Sequence, residues 1–143
     1  MRRSAIRAGA AVALIALMLT TSGCARRTDV DADFCARFAE RWDAFAGRAP
    51  DADAPAARDE LLAFWAHSRT PDLVNDTVDE ALKLTARDLQ VALSESGLPQ
   101  RTRIESLDNG LGIVAQECAA SGHPITYIPA ADAIPLADSP RLG

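Results

Sequence analysis

The stretch FCARFAERWDAFA, residues 34–46, decides the fold class of this chain. Its apolar side chains recur at intervals of three, four and three residues and form one seam along a helix: Cys35, Phe38, Trp42 and Phe45, with Phe34 beside them. Asp31 or Asp33 can cap the N-terminus of this helix, and Gly47 marks its end. The segment therefore predicts an amphipathic helix that buries an aromatic stripe.

Two further helices follow this segment. The second is predicted after the N-cap Asp53, with Pro55 in its first turn, and ends near Ser68. Its apolar residues are Leu61, Leu62, Phe64 and Trp65. The third is predicted to start at the cap Thr70 and to stop at Gly97. Its seam is Val78, Leu82, Thr85, Leu89, Ala92 and Ser96, widened by Leu73, Val74, Leu84, Val91 and Leu93.

A fourth helix is predicted from the capping box Thr102–Glu105 to a stop at Gly122. Its seam repeats at three and four residues: Ile104, Leu107, Leu111, Val114, Cys118 and Ser121. The repeat continues in phase through Gly110 and Gly112, which favours one helix over a turn. Two interior glycines cost about 2 kcal/mol of helix propensity relative to alanine, so we expect either a kink or close approach of a neighbouring helix.

The positions of Cys35 and Cys118 favour an all-α, up-and-down four-helix bundle over residues 33–122. With an even number of helices, the start of the first helix and the end of the last lie at the same end of the bundle. Outside the reducing cytoplasm this pair should form a disulfide that encloses 82 residues. The alternative is a metal site of both cysteines with His67 or His123, but the spacing matches no zinc motif, so we expect no metal.

The tail, residues 123–143, contains four prolines and is predicted to be extended, with its last dozen residues disordered. Ile125, Tyr127 and Ile128 are expected to lie across the bundle, and Tyr127 packs there or lines a pocket.

The N-terminus has the layout of an export signal, residues 1–23. Arg2, Arg3 and Arg7 precede a twelve-residue apolar run that ends at Leu19. A helix of that length spans ~18 Å against a hydrocarbon core of ~30 Å, so we do not expect it to cross a membrane stably. The pair Arg2-Arg3 also fits a loose twin-arginine pattern, which leaves the export route open.

The signal ends in Ser22-Gly23-Cys24 and resembles the lipobox of bacterial lipoproteins, with one departure, Thr21 where the family usually has Leu. The resemblance implies that Cys24 carries a diacylglyceryl group, becomes the mature N-terminus and anchors the protein to the outer face of the cell membrane. Residues 24–32 then form a lipidated end and a short tether. The arrangement is similar to that of small exported lipoproteins of actinobacteria. The alternative is cleavage after Ala25 and release from the membrane.

Charge and motifs restrict the function. The chain has 15 basic and 20 acidic residues, and removal of the three signal arginines leaves 12 against 20, a net charge near −8. Such a domain repels phosphate backbones, which argues against a nucleic-acid partner. Motifs for metalloproteases, serine hydrolases and phosphate loops are absent from the sequence, so we expect neither an enzyme nor a cofactor.

Two hypotheses remain from the sequence. The first is a lipid-anchored module that acts at the cell envelope through contacts with another protein, of unspecified identity and oligomeric state. The second is a small-molecule carrier in which aromatic side chains line a cavity: Phe38, Trp42, Phe45, Phe64 and Trp65.

Overall fold

The computed structural model describes residues 29–49, 54–93 and 100–134. Within these ranges the protein has five helices and no strand, which confirms the all-α prediction: α1 Ala32–Ala46, α2 Ala54–Ser68, α3 Asp76–Ala92, α4 Gln100–Ala120 and α5 Ala130–Ala133. The predicted signal, the lipidation site Cys24, the cap Asp53, Ser96 and the stop at Gly97 lie outside the described residues.

The helices enclose one apolar core. The most extensive contact joins α3 to α4, while α1 contacts α2 and α4, and α2 also contacts α3. The predicted seams of α1, α3 and α4 are buried throughout the described residues, apart from the half-buried Ser121. Amphipathic periodicity therefore identified the core-facing side of these three helices.

The predicted disulfide is present between Cys35 and Cys118, with Cα atoms 5.9 Å apart. It joins the first turn of α1 to the last turn of α4. Both cysteines are buried among apolar side chains. Because the two sulfur atoms are bonded to each other, they do not form the alternative Cys/His metal site.

The predicted start of the third helix was wrong. Thr70–Leu73 is a turn in which the Thr70 carbonyl accepts hydrogen bonds from the amides of Leu73 and Val74. The helix begins instead at Asp76, and the N-cap is Asn75, whose Oδ1 accepts from the Val78 amide at 3.0 Å. The Asn75 side chain also donates to Glu117 Oε2 at 2.9 Å. This contact with α4 holds Asn75 in the capping position.

Three further boundary and burial predictions are corrected. Helix α3 ends at Ala92, before the predicted stop. Helix α4 begins at Gln100, which places the supposed cap Thr102 inside the helix. Leu84, predicted to widen the apolar face of α3, is 49% exposed because it lies on the solvent side of that helix.

Helix α4 is continuous through its two glycines. The packing around Gly110 explains why a glycine is present at that position. A Cβ atom at Gly110 would lie 2.0 Å from Thr85 Oγ1, so the glycine permits close approach of α3. The helix ends in a Schellman motif at Gly122, with φ of 85°, where the His123 amide donates to the Cys118 carbonyl.

The residues just before α1 were predicted to belong to a short tether, but they pack against the helices. Val30 is buried, and its amide donates to Ser121 Oγ at 2.8 Å. Asp31 is the N-cap of α1 and accepts from the Phe34 amide. The Asp31 amide donates to the Leu73 carbonyl at 2.9 Å. The entry of the chain is therefore fixed against the turn between α2 and α3.

More of the tail packs on the helices than was predicted. The Ile128 carbonyl accepts from Trp42 Nε1 at 2.6 Å, and its amide donates to Asp43 Oδ1 at 2.8 Å. The Asp108 carboxylate accepts from the amides at the start of α5, the first of which is Ala130. Part of the stretch predicted to be disordered is helical, and Ile134 is buried; residues 135–143 lie outside the description.

Candidate functional site

The five aromatic side chains predicted to line a cavity lie together in the core. Phe38, Trp42, Phe45 and Trp65 are almost wholly buried, while Phe64 is partly exposed. Trp65 stacks on Phe38 and Trp42, with ring centroids 6.1 and 6.4 Å apart, and Trp42 contacts Phe45 at 5.4 Å. Contacts at these separations are those of rings packed against one another.

The two indole N–H groups differ in their environment. Trp42 Nε1 donates to the Ile128 carbonyl in the tail. Trp65 is only 1% exposed, and its Nε1 has no acceptor within the described ranges. A buried donor without an acceptor loses its hydration with no compensating hydrogen bond, at a cost of about 1–3 kcal/mol. Such a group deserves a functional explanation.

Trp65 also lines a surface groove between α2 and α3, which we call the α2–α3 groove. Its volume is about 370 Å³, within the range of about 300–1,000 Å³ that is typical of small-molecule sites. Its apolar lining comes from both helices: Leu62, Ala63, Trp65 and Ala66 on α2, with Leu82 and Ala86 on α3. Short alanine side chains on both walls leave the space between the two helices.

Polar side chains line the rest of the groove, and two of them are cations. Arg69 Nε lies 2.6 Å from Asp79 Oδ1, and Lys83 Nζ lies 2.7 Å from Asp79 Oδ2. Hydrogen bonds from Lys83 and then from Arg69 hold the pKa of Asp79 below its ordinary value of 3.8. The same contact with Asp79 raises the pKa of Lys83 above 10.5. The groove therefore carries a fully ionised cluster at neutral pH.

Replacement of Lys83 by Gln is expected to raise the pKa of Asp79, because it removes the hydrogen bond that lowers this pKa most. Arg69→Gln should raise it less. Asp79 has a depressed pKa in the folded state, so its stabilising contribution exists above the unfolded pKa of about 3.9 and disappears as the pH falls through the folded value. Once Asp79 is protonated, the wild-type protein loses these ion pairs as well. The free energy of unfolding of both variants should therefore approach that of wild type in acid.

NMR titration of the Asp79 carboxyl carbon measures this shift directly. Arg58→Gln is the matched control, because Arg58 pairs with Asp59 elsewhere on α2 and should leave the Asp79 titration unchanged. An Asp79 pKa that is the same in Lys83→Gln and wild type would contradict the assigned ion pair.

The α2–α3 groove opens near the end of the protein where the described N-terminal residues lie. Arg69 directly precedes the turn Thr70–Leu73, and the Asp31 amide binds the last carbonyl of that turn. The disulfide and the contact between Val30 and Ser121 lie at the same end of the helices. We call this part the entry end.

Other polar groups stabilise contacts between helices. Asp88 is buried on α3, where it accepts a hydrogen bond from Ser106 and lies 3.5 Å from Arg103 Nη1 of α4. His67 Nδ1 lies 2.7 Å from the Ala63 carbonyl on an exposed turn. Burial first, and the charge of Asp108 second, raise the pKa of Tyr127.

Sequence analysis identified Trp65 as a candidate but missed the groove beside it. Arg69, Asp79 and Lys83 stand at spacings of ten and four residues, and a charged pair on a helix is usually an ordinary surface feature. The three alanines of the groove carry no signal in a sequence with many alanines. Their common location follows from the packing of α2 against α3.

No helix among the described residues has the length and apolar character needed to cross a membrane. Compared with protein-family models, curated proteins and solved structures, the chain gives no match.

Proposed function

We propose that this protein is an exported module, anchored to the outer face of the cell membrane by lipid on Cys24, that acts without catalysis through contacts with an envelope protein. The observation that carries the proposal is the disulfide between Cys35 and Cys118. Disulfides form and persist in oxidising compartments and are rare in the cytosol. Export then accounts for the bond, and the signal-like residues 1–23 supply the route.

The position of the entry end supports anchoring. Cys24 is five residues before Asp29, the first described residue, and five residues span at most about 18 Å. The chain is held from Val30 onward by contacts with Ser121 and Leu73. A lipid on Cys24 would therefore keep the entry end close to the membrane and direct the opposite end away from it.

We further propose that α1–α4 form an up-and-down four-helix bundle. The pairwise contacts that support it are α1 with α2, α2 with α3, α3 with α4, and α4 with α1, which together close a ring. The disulfide between the first turn of α1 and the last turn of α4 fits the same order. Short α5 packs on α4 outside this ring.

The surface supports protein contact over nucleic-acid contact. The proposed mature chain has a net charge near −8, which repels phosphate backbones. Three large apolar side chains are substantially exposed among the described residues: Leu84, Ile113 and Ile128. They offer apolar contact area for a protein partner, although single exposed apolar residues also occur on ordinary surfaces.

The test is the intact mass of the protein purified from its native membrane, with and without reduction before alkylation. We expect a mass that begins at Cys24 and includes a diacylglyceryl group, with two additional thiols alkylated only after reduction. Chemical cross-linking on intact cells then searches for the partner. A lipid-free mass that begins after Ala25 would overturn the anchor, and thiols free before reduction would overturn the export argument.

A further inference from the structure

We propose that the α2–α3 groove binds a fatty-acid carboxylate, with the alkyl chain between the two helices and the head group at Trp65, Arg69 and Lys83. The inference goes beyond the proposed module function. It rests on that function only for the source of the ligand, the adjacent membrane surface.

The apolar lining of the groove selects an unbranched chain. Leu62 and Ala66 are one turn apart on α2, and Leu82 and Ala86 are one turn apart on α3, so each helix presents a stripe along its axis. A slender alkyl chain fits between two such stripes, and its burial removes apolar surface from water. The alanines provide the width, because a longer side chain there would occupy the groove.

The N–H of Trp65 lacks an acceptor, and an oxygen atom of the ligand could accept its hydrogen bond. This nitrogen is buried and has no acceptor across residues 29–49, 54–93 and 100–134. Arg69 directly follows the last residue of α2, and it lines the same groove as Trp65. A carboxylate in this groove can accept from the indole and the guanidinium together, which satisfies both ligand oxygens.

Arg69 and Lys83 can bind an anionic head group, although both already contact Asp79. Arg69 meets Asp79 through Nε, and a guanidinium has five N–H donors, so a second carboxylate can bind its terminal amino groups. Lys83 Nζ carries three donors and contacts Asp79 and Glu80. The ligand carboxylate would join an existing network of alternating charge, whereas a trimethylammonium head would offer no acceptor to the Trp65 indole.

The location of the groove supports the membrane as the source of the ligand. Arg69 lies at the entry end, where the Asp31 amide binds the turn that follows it. With Cys24 at most about 18 Å from Asp29, the proposed anchor would hold this end of the groove near the bilayer surface. A fatty acid leaving the bilayer would then have a short path to the groove.

The experiment uses ¹⁵N-labelled full chain with Cys24→Ser, which removes the proposed acylation site. Dodecanoate is titrated below its micelle concentration while the two indole N–H signals are followed by NMR. We expect the Trp65 signal to move downfield as its N–H gains an acceptor, and the Trp42 signal, already bonded to the Ile128 carbonyl, to stay in place. No movement of the Trp65 signal, or equal movement of both signals, would overturn the proposal.

Matched variants test each part of the site. Ala66→Phe fills the groove and should weaken dodecanoate binding at least about tenfold, whereas Ala36→Phe, at an exposed alanine of α1, should leave it unchanged. Arg69→Gln should weaken binding about tenfold, and Arg58→Gln should not. Equal effects within either pair would overturn the assigned position of the ligand.

The head group is tested with dodecyltrimethylammonium, which has the same chain length and the opposite charge. We expect it to leave the Trp65 indole signal in place. Binding equal to that of dodecanoate would overturn the carboxylate assignment. The outcome is independent of the intact-mass test: an unlipidated protein that binds dodecanoate disproves the anchor alone, and a lipidated protein that does not bind it disproves the groove ligand alone.

Discussion

Reduction of the bond between Cys35 and Cys118 is expected to lower the free energy of unfolding by about 4–5 kcal/mol. The two cysteines stand 83 positions apart in the chain, and the chain-entropy model assigns this amount to a loop of about that length. A domain of this size is stable by about 5–15 kcal/mol in total. The reduced protein should therefore be marginally stable, because its unfolded state gains the freedom that the bond withheld.

Urea denaturation of the oxidised and reduced protein measures the effect. Both sulfurs are buried, so reduction must be carried out under unfolding conditions before refolding in reductant. We expect a lower midpoint and a steeper dependence on urea for the reduced form, because an unlinked unfolded chain exposes more surface. Cys24→Ser is the control and should match wild type in both states. Superimposable oxidised and reduced transitions would contradict the prediction.

The second large effect concerns Gly110. Replacement by alanine should destabilise the protein by about 1–2 kcal/mol, although alanine is the better helix former by about 1 kcal/mol. The new Cβ would lie 2.0 Å from Thr85 Oγ1 and 3.1 Å from Thr85 Cβ. Thr85 cannot easily yield, because it is buried and its hydroxyl donates to the Ala81 carbonyl at 2.6 Å. The two helices must therefore separate.

Gly112 provides the matched control on the same helix. A Cβ there would meet Tyr127 Oη at 3.6 Å, an ordinary contact, so Gly112→Ala should stabilise the protein by up to about 1 kcal/mol. Denaturation in urea should separate the two variants by about 2–3 kcal/mol. The difference measures close approach of α3 and α4, since both substitutions have the same intrinsic propensity.

A double-mutant cycle with Thr85→Ala tests the cause. In that background the hydroxyl at 2.0 Å is gone and only the tight contact with the Cβ atom of residue 85, at 3.1 Å, remains, so Gly110→Ala should destabilise the protein much less than it does in wild type. If Gly110→Ala destabilises both backgrounds equally, the contact with Thr85 is not the reason for the glycine.

Part of the candidate site was predictable. The aromatic stripe and Trp65 followed from helical spacing, but spacing says only that a side chain is buried and nothing about its polar atoms. Trp42 and Trp65 look equivalent in sequence, yet the tail supplies an acceptor to Trp42 and no described residue supplies one to Trp65. The groove depends on the separation of α2 and α3, which no local pattern encodes.

The sequence by itself determined the helical class, the buried seams and the pairing of Cys35 with Cys118. Helical periodicity is a local property, and Cys35 and Cys118 both fall on the predicted apolar seams. Only the tertiary structure decided that Asn75 and not Thr70 caps α3, because the Asn75 side chain also binds Glu117 on α4. It likewise decided the docking of the tail and the opening of the groove, since both depend on atoms that are distant in the chain and meet only when the helices pack.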